Sequence, residues 1–267
     1  MSQQSLLYLW KKRTLFLGYI SDPIYFSQGA ASLHLSLGST FYVKQLSNSQ
    51  EYQCTSVLTP PGCNVLMDCC HQPIVNVYLD VMGEDFFHLS RRMQSRDADL
   101  YFDLNDECRY KSEFTEILKN QSDSASAWRR LENVLNLDEG LLYKSDPRVR
   151  MVVELIQSEI GSNLSVDYLA EQVNLSVAGL TKLFKKQTGV PIRRYRLWHR
   201  LYVTATEIGK GKTLTEAAQS AGFVDLSHCI HTFNQMLGRK PSYYLQRPED
   251  IKIITEGSAD LRCGRYS

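Results

Sequence analysis

Cys54, Cys63, Cys69, Cys70 and His71 fall within eighteen residues of one another. Soft thiolate and imidazole donors so crowded suit a soft metal ion or a thiol-redox switch. The spacing is not C-x-x-C, however, and Cys69 and Cys70, if both lie on a strand, point to opposite faces. Free cysteine is also among the most buried residue types, so plain core packing explains the same residues. His34, His71 and His88 stand far apart, without H-x-H or H-x-x-E spacing, so no catalytic or metal-hydrolysis set is assembled. Neither an enzymatic activity nor a cofactor is expected. A second group of residues suits different chemistry. Lys182, Lys185, Lys186, Arg193, Arg194, Arg239 and Lys240 are cations spaced along a stretch rich in helix signals. Residues 148–247 carry a net charge of +7, against −5 for residues 1–147 and −1 for the last twenty. A basic segment beside an acidic one fits a polyanionic partner for the basic part.

The elements that position these cations repeat. Over 164–189, Ser165 caps a helix whose inward face is Val166, Leu169, Ala170 and Val173, and Asn174-Leu175 turns the chain. Ser176 then caps a second helix with Leu180, Leu183 and Phe184 inward, and Gly189 ends it. Over 213–238, Thr213 and Glu216 form a capping box, Leu214, Ala217, Ala218 and Ala221 face inward, and Gly222-Phe223 turns. Asp225 caps the next helix, with Leu226, Ile230 and Phe233 inward, and Gly238 ends it. Leu169-Ala170 and Asn174-Leu175 match Ala217-Ala218 and Gly222-Phe223 at an offset of 48, and Ser176, Phe184 and Gly189 match Asp225, Phe233 and Gly238 at 49. Both units have the layout of a helix-turn-helix. Between them, Ile192, Tyr195, Trp198, Leu201, Tyr202, Ala205 and Ile208 stripe a helix ending at Gly209. Nineteen helical residues span about 28 Å, of the order of one duplex turn, so the helix is expected to hold both units against successive major grooves.

The strings LAEQVNLSVAGLTKLFKKQTGVPIRRYRLWHRL and TLTEAAQSAGFVDLSHCIHTFNQMLGRKPSYY resemble the DNA-binding domain of the AraC/XylS family of bacterial regulators. The resemblance implies a domain over 146–247 that binds double-stranded promoter or operator DNA. It puts Ala178, Thr181 and Lys182 at base-facing positions, with Val177 beside them. Lys182 suits a guanine edge, and Ala178 and Thr181 a thymine methyl. Lys185, Lys186, Arg193 and Arg194 suit phosphate. In the second unit Leu226, Ser227, His228 and His231 face outward, and Arg239 and Lys240 reach the backbone. Here the chain departs from the family. Family members commonly carry Arg where His231 stands, an aromatic where Cys229 stands, and Lys or Arg where Asn234 stands. The second unit is therefore expected to add less salt-dependent affinity than the first.

The first hundred residues read as short strands: Thr14–Ile20, Ser32–Leu37, Thr40–Gln45, Thr55–Leu58 and Ile74–Leu79, with turn residues between. The string LTPPGCNVLMDCCHQPIVNVYLD is similar to a segment of the family's sensory barrels. The expected fold is α+β. A small cupin-like β-barrel occupies 1–105 and a helical dimerisation or linker region 106–145. An all-α domain with two helix-turn-helix units follows over 146–247, and a C-terminal tail over 248–267. Tyr25, Phe26, His34, Phe41 and Tyr42 are candidates to line an effector pocket. The family implies a small-molecule effector, a homodimer, and RNA polymerase as a partner if the protein activates. The alternative is a metal- or redox-binding barrel, or an enzymatic one, with an accessory nucleic-acid-binding module. No apolar run reaches eighteen residues and no export signal opens the chain, so a cytoplasmic location without a membrane span is expected. In that reducing compartment the cysteines stay free.

Overall fold

The computed structural model describes residues 4–47, 49–135, 142–245 and 251–256. The N-terminal half runs β1 (Ser5–Leu9), β2 (Thr14–Tyr19), β3 (Ile24–Phe26), β4 (Ser32–Ser36), β5 (Phe41–Gln45), β6 (Gln50–Cys54), β7 (Ser56–Thr59), β8 (Val65–Asp68) and β9 (Pro73–Tyr78). It continues with α1 (Glu84–Ser90), β10 (Met93–Asp97), β11 (Leu100–Leu104), α2 (Glu107–Asn120) and α3 (Ser124–Leu135). The C-terminal half runs α4 (Pro147–Ser158), α5 (Val166–Gln172), α6 (Val177–Thr188), α7 (Ile192–Gly209), α8 (Leu214–Ser220), α9 (Leu226–Leu237), α10 (Pro241–Leu245) and β12 (Ile251–Thr255).

The strands form two sheets, in the orders β10-β11-β7-β4-β9-β2-β1-β12 and β3-β8-β5-β6. The expected barrel is therefore a sandwich-like pair of sheets that do not close on each other. Alternation explains the layering. Along β2, Phe16 joins Phe26, Phe41, Val43, Val57 and Met67 in a core between the sheets. Leu15 and Leu17 point the other way, into a second core with Tyr110, Phe114, Leu131 and Val134 of α2 and α3. The apolar stripes of those two helices are thus packed on the large sheet. A buried ion pair pins this layer. Arg13 donates to both oxygens of Asp85 at 2.6 and 2.5 Å and also binds Glu132, joining the β1–β2 turn to α1 and α3.

The five strands read from the sequence correspond to β2, β4, β5, β7 and β9. Of the remaining strands, β3 has only three residues, and β6 and β10 are mostly exposed and so lack an apolar pattern. Cys69 and Cys70 are not on a strand. They follow β8 in a turn where Cys70 and His71 have φ of 51° and 57°. The segment expected to be a tail contains β12, which pairs in parallel with β1 from Ser5↔Ile251 to Leu9↔Thr255.

Candidate nucleic-acid interface

The two helical hairpins form as their caps dictate. Ser165, Ser176, Thr213 and Asp225 each accept a backbone N–H two or three residues into their helix, and Thr213 with Glu216 closes a capping box. The offset-48 turn residues Asn174 and Gly222 have φ of 52° and 75°, and the offset-49 terminators Gly189 and Gly238 have φ of 77° and 75°. The internal match is therefore one of backbone conformation. Only residues that tolerate the left-handed region stand at those four places. Leu169, Ala170, Leu180 and Phe184 bury the first corner. Ala218, Cys229, Phe233 and Met236 bury the second. Cys229 stands where Leu180 does, at the 49-residue offset, and fills the same place. The second helix thus buries Cys229, Thr232, Phe233 and Met236, while Leu226 and Ile230, read as inward, are only half-buried.

With those faces turned in, the N-terminal half of each second helix is left to solvent. Val177, Ala178, Thr181, Lys182, Lys185 and Lys186 of α6 are all exposed. On α9, Ser227 and His231 are exposed. His228 is half-buried, with its ring edge-on to Phe223 at 5.4 Å and its backbone N–H on the Asp225 carboxylate at 2.7 Å. Thr181 Oγ1 donates to the Val177 carbonyl at 2.8 Å, which leaves its methyl group outward. Arg193 and Lys240 are exposed.

Arg194 and Arg239 are placed differently. Arg194 donates to the Ser27 carbonyl, to Ser27 Oγ at 2.6 Å and to the Gln28 carbonyl at 3.5 Å. Arg239 donates to the Asp22 carbonyl at 2.8 Å. Both therefore face the loop around β3 and not solvent. Two separate segments, β3 and the β7–β8 turn, seat the ends of the second helices of the two hairpins. A Cβ on Gly238 would lie 2.4 Å from the Tyr25 carbonyl oxygen, and one on Gly189 3.1 Å from Pro61. Gln187, which sequence reasoning did not single out, donates to the Met82 carbonyl at 2.9 Å. The N-terminal half thus holds the C-terminal end of each second helix and leaves the N-terminal end free. Residue type marks such contacts poorly, because most are made to backbone carbonyls far away in the chain; the exceptions are Arg194 on Ser27 Oγ and Arg239 beside the Asp22 carboxylate at 3.5 Å.

The apolar stripe of α7 does not stand free as a spacer. It lies over β1, β2, β9 and β12 and encloses a cavity of about 140 Å³. Leu7, Phe16, Trp198, Tyr202, Ile208 and Ile253 supply its apolar wall, and Gln28, Asn76 and Tyr78 its polar groups. Trp198 meets Tyr78 edge-on at 5.3 Å and packs on Gly29. Behind this wall lies a buried polar chain. His34 Nδ1–H donates to Asn76 Oδ1 at 2.8 Å, and Ser32 joins His34 Nε2 at 2.9 Å to Thr59 and Gln28. Burial pushes His34 down to about 4, which keeps it neutral. His199 lies at the cavity rim between Tyr195 and Tyr202, and its Nε2 has no hydrogen-bond partner. Burial, with Lys11 nearby, lowers His199 to about 4 despite a hydrogen bond that opposes the shift. The residues expected to line a pocket do not do so. Phe26 and Phe41 are core between the sheets, His34 belongs to the polar chain, and Tyr25 and Tyr42 are exposed.

The cysteine cluster is dispersed. Cys54 and Cys69 are buried between the sheets, and burial pushes both thiols up to about 12; Cys63 rises to about 11 for the same reason. Thiols held protonated are poor nucleophiles and poor metal ligands. Among the described residues no group of three or more His, Cys, Asp or Glu is placed to hold a metal ion, and no helix is long and apolar enough to cross a membrane.

Residues 169–247 match a family model described as a helix-turn-helix domain. Over 97 residues the chain is 32% identical to the Msm operon regulatory protein of Streptococcus mutans, covering 36% of this chain and 35% of that protein. Over 116 residues it is 25% identical to the XylDLEGF operon transcriptional activator of Pseudomonas putida, covering 42% and 36%. The chain thus spans about a third of the length of these relatives. The fold as a whole is shared more widely. An apo form of ToxT from Vibrio cholerae superposes with a TM-score of 0.63 over 90% of this chain and 98% of its own, at 14% identity. Wild-type ToxT with an unsaturated fatty acid bound gives 0.54 over 89% and 96%, at 15% identity. The C-terminal half of the chain thus carries a helix-turn-helix domain with two matched units, and over that domain it is similar to regulators of operons.

Proposed function

We propose that the chain is a sequence-specific DNA-binding transcription regulator whose two reading helices, α6 and α9, enter major grooves of one duplex. The observation that carries this is the exposure of Val177, Ala178, Thr181 and Lys182 on α6 and of Ser227 and His231 on α9, each set backed by a buried apolar corner. In this reading Val177, Ala178, Thr181 and Lys182 meet base edges from the first unit, and Ser227, His228 and His231 from the second. Lys185, Lys186, Arg193 and Lys240 hold phosphates. Arg194 and Arg239 join them once their contacts to the β3 loop are released. Binding as a homodimer, contact with RNA polymerase and a cytoplasmic site of action belong to the same proposal. So does the division into a sensory part, a helical linker and a DNA-binding domain.

The effector site of this proposal is the cavity between α7 and the large sheet. Its walls are apolar, and Lys11 lies at its rim. That chemistry suits an apolar carboxylate, and a fold neighbour has an unsaturated fatty acid bound. At about 140 Å³ the cavity is below the ~300 Å³ at which drug-sized pockets begin, so an acid of that size must part α7 from the sheet.

Footprinting on genomic DNA tests the reading. The expected result is two protected tracts on one face of the duplex, about one helical turn apart. Equal protection of all sequences, or none at any salt concentration, would refute it.

A further inference from the structure

β12 begins four residues beyond the end of the matched helix-turn-helix domain, which closes at 247. It returns from the DNA-binding half to the sheet of the other half, and its pairing with β1 is the one parallel pairing among the described strands. Its two faces serve two compartments. Ile254 joins the core between the large sheet and α2–α3. Ile253, on the opposite face, forms part of the cavity wall beside its register partner Leu7. The strand also grips the linker helix. A Cβ on Gly209 would lie 2.8 Å from Ile253 Cγ2 and 3.0 Å from Thr255 Cγ2. So α7 is gripped at its C-terminal end by a five-residue strand that stands last in its sheet, with β1 its one strand neighbour among the described residues. Such a strand is the part of a sheet most readily lost by local opening.

We infer that β12 is a releasable strap: docked on β1 it clamps α7 over the cavity and keeps Arg194 and Arg239 on the β3 loop, and undocked it frees the DNA-binding half. Its removal takes away one cavity wall and the seat of Gly209 together. Parting α7 from the sheet and releasing the strap are therefore one motion. The consequence for DNA affinity rests on the DNA-binding function proposed above; the clamping of α7 does not.

Three full-length variants test it. Ile253→Asp puts a charge on the cavity wall, and Gly209→Val fills the space that Ile253 and Thr255 occupy. A Leu7→Cys/Ile253→Cys pair, oxidised, locks the register partners together, with the wild-type chain under the same oxidant as control. Hydrogen exchange is followed over 5–9, 251–255 and 198–208, and operator affinity is measured alongside. In the first two variants all three segments are expected to exchange at least tenfold faster and operator affinity to rise about fivefold. The oxidised pair is expected to bind operator about fivefold more weakly than its reduced form. Unchanged protection of 198–208 while 251–255 opens would overturn the strap, as would a locked pair that binds DNA as well as the reduced one. A disulfide formed between two chains would show strand exchange instead and overturn the intrachain strap. Absence of operator binding in the wild type would overturn the DNA-binding reading and leave the exchange of 198–208 to decide the strap.

Discussion

Lys185 and Lys186 are exposed in the last turns of α6, where no acidic side chain is paired with them among the described ion pairs. Cations so placed act on phosphate through charge, without reading sequence. Lys185→Ala or Lys186→Ala is expected to weaken binding to operator and to random duplex alike, and to flatten the dependence of log affinity on log salt by about one unit. A filter-binding series across salt concentrations measures it, and altered sequence preference at constant slope would contradict the phosphate role. Two histidines carry a second prediction. His34 and His199 are held neutral by burial, with folded values near 4 against an ordinary value of 6.5. Between those values the unfolded chain binds more protons than the folded one, so stability is full above about 6.5 and falls as pH drops toward 4. The loss is of the order of 3 kcal/mol for each group. Urea midpoints at pH 7 and pH 5 should show the fall. A His34→Gln variant, weaker at pH 7, should lose less over the same interval.

At the scale of elements, the reading helices depend on single side-chain caps. Ser176 accepts from Gly179 N at 3.1 Å and Asp225 from His228 N at 2.7 Å. Ser176→Ala and Asp225→Ala are each expected to cost about 1 kcal/mol, seen as a lowered thermal midpoint. Either cap lies at the end of its helix proposed to meet DNA, so operator affinity should fall with the same substitution. A variant with unchanged midpoint and unchanged affinity would show that the cap is not needed. The cysteines belong to this scale too. Cys229 is a core residue of α9, its thiol pushed up to about 11 by burial, in the place Leu180 fills in α6. Relative to Leu180 of the first unit it is a change of core volume.

Across the whole molecule, Gly29 and Trp198 mark where the two halves meet. A Cβ on Gly29 would lie 2.4 Å from Trp198 Cβ and 2.7 Å from Cγ, so any larger residue forces the indole, and α7 with it, away from the sheet. Gly29→Val is expected to red-shift tryptophan emission by exposing Trp198 and to tighten operator binding by loosening Arg194 from Ser27. An unchanged emission spectrum together with unchanged affinity would show that this contact does not restrain the DNA-binding half.

Local rules made much of the C-terminal half legible. Caps, left-handed turn residues and the 3.6-residue apolar period act over a few residues, so Ser176, Gly189, Asp225 and Gly238 could be placed by reading along the chain. The same reading located the exposed faces of α6 and α9, since burying Phe184 and Phe233 leaves Lys182 and His231 outward. The N-terminal half was legible only in β2, β4, β5, β7 and β9. Its short strands owe their conformation to neighbours, and β12 owes its conformation to β1, about 245 residues away along the chain. The tertiary structure alone decided that the α7 stripe docks on a sheet, that Arg194 and Arg239 bind backbone carbonyls, and that the cavity lies between the halves. The physical reason is that a helix pattern says which face is buried but not against what. Carbonyl acceptors are present at every residue, so no side-chain signal announces which of them an arginine will find.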